Sequence, residues 1–501
     1  MVNLRSELTS VGSRLIMLLL IAAALLFALP LLLAASVETS LLVLLVCVIA
    51  GIMLWKPEFT TLVVIFVFYT NLSVVAILNG VPDFIATSFF VLLGVPLFYI
   101  IIVQRQRVVI NAALILMVIY LAVSLLSAAV SVQPSATYSR VNNYLVEGLI
   151  LYFLIVNCIR NPQRLRQVVW TLILAGGFIG GLSVYQGVTG DYENDFSGLA
   201  QVSNAQINAG PESFLGDQRT VTRLAGPIGE KNRYAQIMVV LVPLAISRII
   251  AEKSRALRVL AALCGIAILG GTFLTFSRGA GIALVVMFVA MLILRTIPFR
   301  YWLALAVGVP LLMLVFAPDY FERISTLGEV SGLASGDTSS ADTSLLGRAT
   351  ENLGTILIFL DRPILGVGPG QTIRYLRAAG NEIGLRRLTE DRRAHNMYLE
   401  ELADTGILGF SAFIGIPLVT MIGLWRQSRY WKTRNSEYFH TLAGFLLAIL
   451  AYMTTATFLH LSYARYYWFL LAVAGAAVWV FKETAYLSER QGKHELDQQS
   501  V

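Results

Sequence analysis

Charge is what this sequence has least of. Only 13% of its 501 residues are Asp, Glu, Lys or Arg, against roughly 25% in a soluble domain. A soluble protein of this size would split into several cores, each with a polar exterior. The 37 Lys and Arg and 30 Asp and Glu cannot cover that much surface. The shortage excludes a soluble enzyme, a nucleic-acid-binding protein and a disordered scaffold. Cysteine is scarce as well. Cys47, Cys158 and Cys264 all lie in apolar runs, which indicates neither a disulfide framework nor a Cys-based metal site. The four histidines are far apart and form no HExxH pattern, which argues against zinc. No internal repeat is visible.

Apolar sequence takes the place of charge. Hydrophobic residues make up 57% of the chain, and the mean hydropathy is +0.73. An all-α polytopic membrane protein follows. A helix needs about 20 apolar residues to cross the hydrocarbon. That window gives spans near 12–30, 39–55, 60–78, 85–103, 109–130, 143–159, 166–188, 234–250, 257–275, 279–296, 301–316, 403–424, 441–461 and 464–481. The total is about 12–14 transmembrane helices. Arg5 and Arg14 before the first apolar run resemble a signal sequence. The run is long and lacks a convincing cleavage site, so it reads as an uncleaved span.

The loops alternate in charge. Arg105/Arg107, Arg160/Arg164/Arg166, Arg248/Lys253/Arg255/Arg258, Arg295/Arg300 and Arg426/Arg429/Lys432/Arg434 fall on one side if both termini are inside. The positive-inside rule therefore places both termini in the cytoplasm. The net charge of +7 is then largely an inner rim and no sign of a nucleic-acid partner. The chain divides into N-terminal spans (1–188), a first outer loop (189–233), central spans (234–316), a large outer loop (317–394), C-terminal spans (395–481) and an inner tail (482–501). Loops this long are usually functional or disordered, so function is expected on the outer face.

Loop 317–394 holds nine arginines and no lysine: Arg323, Arg348, Arg362, Arg374, Arg377, Arg386, Arg387, Arg392 and Arg393. Ten acidic residues accompany them. A guanidinium group is always charged and forks onto phosphate oxygens, which an ammonium does not. Any single one of these arginines is more simply read as half of a solvated ion pair. As a set they point to an anionic ligand. Residues 330–346 read as flexible, Arg348 to Leu360 reads as a helix closing at Asp361-Arg362-Pro363, and Leu365 to Gly370 (LGVGPG) reads as a turn. That turn lacks the Gly-Lys-Ser/Thr ending of a Walker loop.

Four further positions stand out. Arg278, in TFSRGAG, sits in a short outer break between two spans. Arginine costs about 2.5–3.5 kcal/mol at a span centre and less near the interface, so it is a functional candidate beside the alternative of a snorkelling side chain. His395 opens the return into the membrane (AHNMYLEELADTGILG), where spacing puts it in one helical stripe with Leu399, Leu402, Gly406 and Gly409. Those glycines would admit another helix closely. An imidazole can move a proton near neutral pH; a capping or surface histidine is the plainer alternative. Glu147, in YLVEGLILYF, needs a partner or a wet cavity, with Arg140 or Arg278 as candidate counter-ions. In GPIGEKNRYAQ, Asn232 could cap the next helix, and Glu230, Lys231 and Arg233 could instead meet substrate.

These elements resemble the bacterial O-antigen ligase and O-antigen polymerase superfamily, which includes O-linked oligosaccharyltransferases. GPIGEKNRYA is similar to its Gly-x-x-x-x-x-Asn-x-x-Ala stretch, TFSRGA to its Ser-Arg-Gly element, and GRATENLGTILIFLDRPILGVGPG to its Arg-headed loop helix and following turn. His395-Asn396, then nine residues and Gly406-Ile-Leu-Gly409, fits H-[NSQ]-x9-G-x2-[GTY]. The resemblance covers roughly residues 220–425. It implies a periplasmic-face transferase in the bacterial inner membrane, acting without metal or other cofactor. The donor it implies is a glycan on undecaprenyl pyrophosphate, and the acceptor hydroxyl lies on a glycan or on lipid A-core. A chain-length regulator is a possible further partner. Its essential positions map onto Arg278, Arg348 and His395, with Asn396, Glu147, Asn232, Arg392 and Arg393 completing the candidate substrate contacts. The chain is longer than the family's usual ligases, so polymerase and ligase stand side by side. A flippase or transporter of lipid-linked glycans is the alternative from a different class.

Overall fold

The computed structural model describes residues 57–81, 88–208, 218–317, 343–461 and 464–499. The expected spans 12–30 and 39–55 lie outside the described residues. Among those described, nine helices are long and apolar enough to cross a membrane. They are α4 (Ala112–Ala129), α5 (Pro134–Cys158), α6 (Pro162–Thr189), α7 (Lys231–Ala251), α8 (Arg255–Phe273), α10 (Phe299–Phe316), α13 (Met397–Trp431), α14 (Ser436–Ala456) and α15, whose apolar part is Ala464–Gln491. The expected span 60–78 is a broken one: α1 (Pro57–Tyr69) and α2 (Leu72–Leu78) meet at 58°. Asn71, at a left-handed φ of 59°, makes the break. The expected spans 85–103 and 279–296 are the shorter apolar helices α3 (Phe90–Val103) and α9 (Arg278–Ile293).

The helix ends follow the local sequence. Asn111, Asn161, Asn396 and Asn435 each cap a helix through the side-chain oxygen, satisfying amide donors that no turn can reach. In α5, Pro134 stands in the first turn, where its missing N–H costs nothing. Residues Leu145–Ile150 of that helix form a π-turn that carries Glu147. Helices in lipid gain no hydrophobic drive toward one another, so packing and polar contacts must hold them. The interior is accordingly aromatic: Trp468 meets Tyr144 at 5.0 Å, Phe413 at 5.7 Å and Tyr467 at 4.7 Å between ring centroids.

At one end of the bundle the basic loops do meet. Arg248, fully buried, contacts Glu437 at 3.0 Å and Glu252 at 3.5 Å, and Arg166 is paired with the same Glu252. These residues come from three of the loops that the charge alternation assigns to a common side.

Of the stretch 330–346 expected to be flexible, 330–342 lie outside the described residues and 343–346 open a helix; the described parts of the two long connections carry regular structure. The first contains an antiparallel pair, β1 (Gln201–Asn208) and β2 (Gln218–Gly226), with a bulge between Gln201 and Val202. The amide of Leu224 bonds the carbonyl of Leu274 at 3.0 Å, tying this sheet to the end of α8. The second contains the expected helix, α11 (Thr343–Asp361), and also α12 (Thr372–Ile383). Between them the glycine turn lies on α13. Gly406 has φ 63° and ψ −172° and breaks that helix in two. The amide of Ile407 bonds Pro363 O at 2.8 Å, Val367 N bonds Ala403 O at 3.0 Å and Gly368 N bonds Asp404 O at 2.9 Å. A Cβ on Gly406 would sit 2.3 Å from the backbone of Ile364, and one on Gly366 2.4 Å from Ala403 O. The close approach expected of Gly406 is therefore real, but a loop makes it, not another helix.

Candidate active site

Three arginines from distant parts of the chain line one pocket. Arg223 comes from β2, Arg278 is the first residue of α9, and Arg348 lies in α11; Asn232, Ser277, Thr455, Phe458 and Leu459 are also in the wall. Arg278 stands where the amide dipoles of α9 add a positive end to its own charge. Arg223 is buried. It donates from Nε to Thr275 O at 2.6 Å and from Nη2 to Phe276 O at 3.2 Å and to Asn232 Oδ1 at 3.3 Å. That bonding fixes the turn preceding Arg278. Asn232 does not cap α7: Glu230 does, accepting from the amides of Asn232 and Arg233. The Asn232 amide instead joins Arg223 to Glu230, donating to Glu230 Oε1 at 3.1 Å.

One turn along α11 from Arg348 is Glu351, 1% exposed. Residues three apart on a helix are neighbours. Glu351 Oε2 lies 2.6 Å from His395 Nδ1, and its Oε1 lies 3.7 Å from Arg392. A carboxylate at Nδ1 keeps the ring proton there and leaves Nε2 as the acceptor. His395 keeps 37% of its side-chain surface. It precedes α13 and is not part of that helix, so the helical stripe drawn through Leu399 does not include it. Asn396 is the cap, accepting from Tyr398 N at 3.0 Å and Leu399 N at 3.2 Å.

The wall on the other side of His395 is the connection between α14 and α15. Its His460 ring lies 5.9 Å from that of His395, edge to face. Burial holds the His460 imidazole well below its ordinary range, helped by the positive charges of Arg233 and Arg393 and by His395 and Arg140. His460 is therefore neutral near pH 7. Its carbonyl accepts from buried Arg233. Arg393 places Nε 2.7 Å and Nη2 2.6 Å from a single oxygen of Glu400, whose other oxygen accepts from Leu461 N at 3.0 Å. Arg233 and Arg393, both considered above as substrate contacts, thus pin this connection.

Glu147 is placed elsewhere. It makes no ion pair with Arg140 or Arg278, and lines a second cavity with Arg140, Tyr144, Glu401, Asp404 and Trp468. Among the described residues no three His, Cys, Asp or Glu side chains group as metal ligands would.

Residues 260–414 match the family model described as O-antigen ligase. That stretch, about a third of the chain, is similar to the O-antigen ligase family and supports the resemblance to the ligase and polymerase superfamily. No curated protein sequence matches it. Glycan transfer of the ligase or polymerase type is the activity that goes with this family. The stretch matched to the O-antigen ligase model contains Arg278, Arg348, Glu351 and His395. Arg223 and Asn232, before it, and His460, after it, come from outside the matched region and meet it in space.

Sequence reasoning missed Arg223, Glu351 and His460. Glu351 had a signal, since it follows Arg348 by one helical turn in GRATENLG. Arg223, within the first long connection, and His460, in the short one between α14 and α15, had no comparable signal.

Proposed function

We propose that this chain moves a glycan from undecaprenyl pyrophosphate to an acceptor hydroxyl at the periplasmic face of the bacterial inner membrane. Both termini are then cytoplasmic, and the acceptor is a growing glycan or lipid A-core. The observation that carries this reading is the His395–Glu351 pair, 2.6 Å apart, one helical turn from an arginine that lines a pocket with two others.

In this mechanism the forked donors of Arg348, with Arg278 at the head of α9, hold the pyrophosphate oxygens. The acceptor oxygen attacks the anomeric carbon from the face opposite the pyrophosphate and inverts its configuration. A new carbon–oxygen bond forms there, and the bond from that carbon to the pyrophosphate oxygen breaks. His395 takes the hydroxyl proton on Nε2, while Glu351 holds the proton on Nδ1 and stabilises the resulting imidazolium. Undecaprenyl pyrophosphate leaves with its added charge met by the arginines. Arg223 and Asn232 act through their neighbours, fixing the turn before Arg278. The lipid tail lies between helices.

The flippase reading would call for charged groups near the midplane of two related halves. Here the candidate groups gather around the long connections at one end. Reconstitution tests the choice. The purified chain in liposomes, given undecaprenyl-pyrophosphate glycan and acceptor, should release undecaprenyl pyrophosphate and yield a covalently enlarged acceptor. Full activity of both Arg348→Lys and His395→Ala would sink the assignments; movement of intact donor across the bilayer with no new bond would replace transferase by transporter.

A further inference from the structure

The second cavity has a chemistry of its own. It encloses about 310 Å³ and is formed by α4, α5, α13, α15 and the glycine turn, at the lower end of the size range of small-molecule pockets. Flat aromatic surface comes from Tyr120, Tyr144 and Trp468. Around it stand hydrogen-bonding groups of both kinds: Ser124, Asn143, Arg140, Arg465, Glu147 and Glu401.

Some of these groups are committed to the fold. Asp404 accepts from Gly370 N at 2.7 Å, Thr372 N at 2.9 Å and Thr372 Oγ1 at 2.5 Å, which caps α12. Glu401 Oε2 accepts from Tyr120 at 2.6 Å, and Arg140 Nη2 donates to Leu461 O at 2.7 Å. Others are not committed. Among the described residues the Oγ of Ser124, the Nε of Arg465 and the Nε1 of Trp468 have no hydrogen-bond partner, although Ser124 and Trp468 are only 2% and 1% exposed. Buried polar groups are almost always satisfied, and an unsatisfied one costs about 1–3 kcal/mol. Three such atoms belong to residues of this one cavity wall. Glu147 joins them on the π-turn of α5, a distortion frequent at functional sites.

We propose that this cavity is a sugar subsite that seats one neutral pyranose ring of the acceptor glycan. A pyranose offers an apolar C–H face to an aromatic wall and hydroxyls around its edge that both donate and accept. That suits Trp468 Nε1 as donor, Glu147 as acceptor and Ser124 as either. A lipid tail would leave these groups unpaired. An anion would meet three carboxylates, Glu147, Glu401 and Asp404, against two arginines. The position supports an acceptor: Leu461 lines this cavity, Leu459 lines the arginine pocket, and His460 between them faces His395. The inference rests on the transferase reading for the word acceptor, and on the cavity alone for the sugar.

The test uses the purified full-length chain in detergent. Glucose, galactose, mannose and N-acetylglucosamine are the sugar probes, read by saturation-transfer NMR; inorganic pyrophosphate is the probe of the arginine pocket, read by calorimetry. At least one sugar should bind. Glu147→Gln and Ser124→Val should each weaken it about tenfold, as loss of a hydrogen bond to a charged or buried group does, with pyrophosphate binding unchanged. Arg348→Ala should do the reverse. Unchanged pyrophosphate binding also shows that the two cavity variants fold. The proposal is overturned if no sugar of the four binds, if both cavity variants bind as the parent does, or if Arg348→Ala abolishes sugar binding. Sugar binding without any pyrophosphate binding would keep the subsite and remove the donor side of the transferase reading.

Discussion

The two cavities flank one stretch of chain and are built on opposite plans. The arginine pocket draws Arg223, Arg278 and Arg348 from a strand, a helix start and a loop helix. The other is walled by aromatic rings and carboxylates on transmembrane helices. Between them residues 459–461 are held from three sides, by Arg233 on the His460 carbonyl, by Arg140 on the Leu461 carbonyl and by Glu400 on the Leu461 amide. The difference teaches that the scarce charge is sorted by task. On the proposed reading, arginine is concentrated where a leaving group needs compensation, and carboxylate where hydroxyls need acceptors. The family match cuts across both cavities. It covers Arg278 and Arg348 of the first, Glu401 and Asp404 of the second, and His395, but leaves out Arg223, Asn232, Arg140, Glu147, Arg465 and Trp468. The residues proposed for transfer, Arg278, Arg348 and His395, lie in the matched region, and the second cavity is walled largely by residues outside it.

The largest expected effect breaks the arginine side alone. Arg348→Ala should lower the rate of glycan transfer by about 10²–10³-fold, the usual cost of removing one donor to a developing anion. Arg348→Lys should recover little, because the charge returns without the fork. Transfer assays in proteoliposomes check both, and a fully active lysine variant would make the pocket a mere electrostatic patch. Next comes Glu351→Gln. It should reduce the rate by about 10²-fold, a typical share for positioned acid–base catalysis, while pyrophosphate affinity stays. A parallel loss of affinity would place Glu351 in binding.

Gly406→Ala tests whether both cavities share a frame. Its φ of 63° and the 2.3 Å approach to Ile364 make a cost above about 2 kcal/mol the expectation. Thermal unfolding in detergent should show it, with sugar and pyrophosphate binding lost together. Survival of either at full strength would show that the frame is not shared.

The smallest effect concerns pH. His460 is held neutral in the fold, while the unfolded chain protonates it below about pH 6.5. The unfolded state then binds the extra proton, so this contribution is complete above pH 6.5 and is lost progressively as pH falls below it. The melting temperature should drop between pH 7.5 and 5, and His460→Gln should flatten that drop. An unchanged slope would remove His460 from the account.

The membrane class and most spans were legible in the sequence because apolar runs of fixed length have few other uses. The helix at Arg348 was legible from its periodicity, and Arg278 from its cost near lipid. What escaped was whatever depends on distant segments meeting. Asn232 looked like a cap because Asn often is one, yet Glu230, two residues earlier, takes the amides. Gly406 read as a helix-packing residue because spacing cannot show which neighbour comes close. Glu147 invited pairing with an arginine, and only the packing of α4, α13 and α15 against α5 shows what it faces instead. The strands β1 and β2 gave no strong alternation to read.

The seam between the glycine turn and α13 has a consequence for traffic. Where the helix is interrupted, Ile407 and the carbonyls of Ala403 and Asp404 are bonded to residues 363–368. Backbone groups at membrane depth must find partners within the protein. Lifting the turn away would strip those partners from a transmembrane helix. The turn behaves as a rivet and not as a door. On the proposed transferase reading, a closed seam means that the lipid-borne donor reaches the arginines by sliding in from the side of the membrane, and the departing polyisoprenoid leaves by the same lateral route.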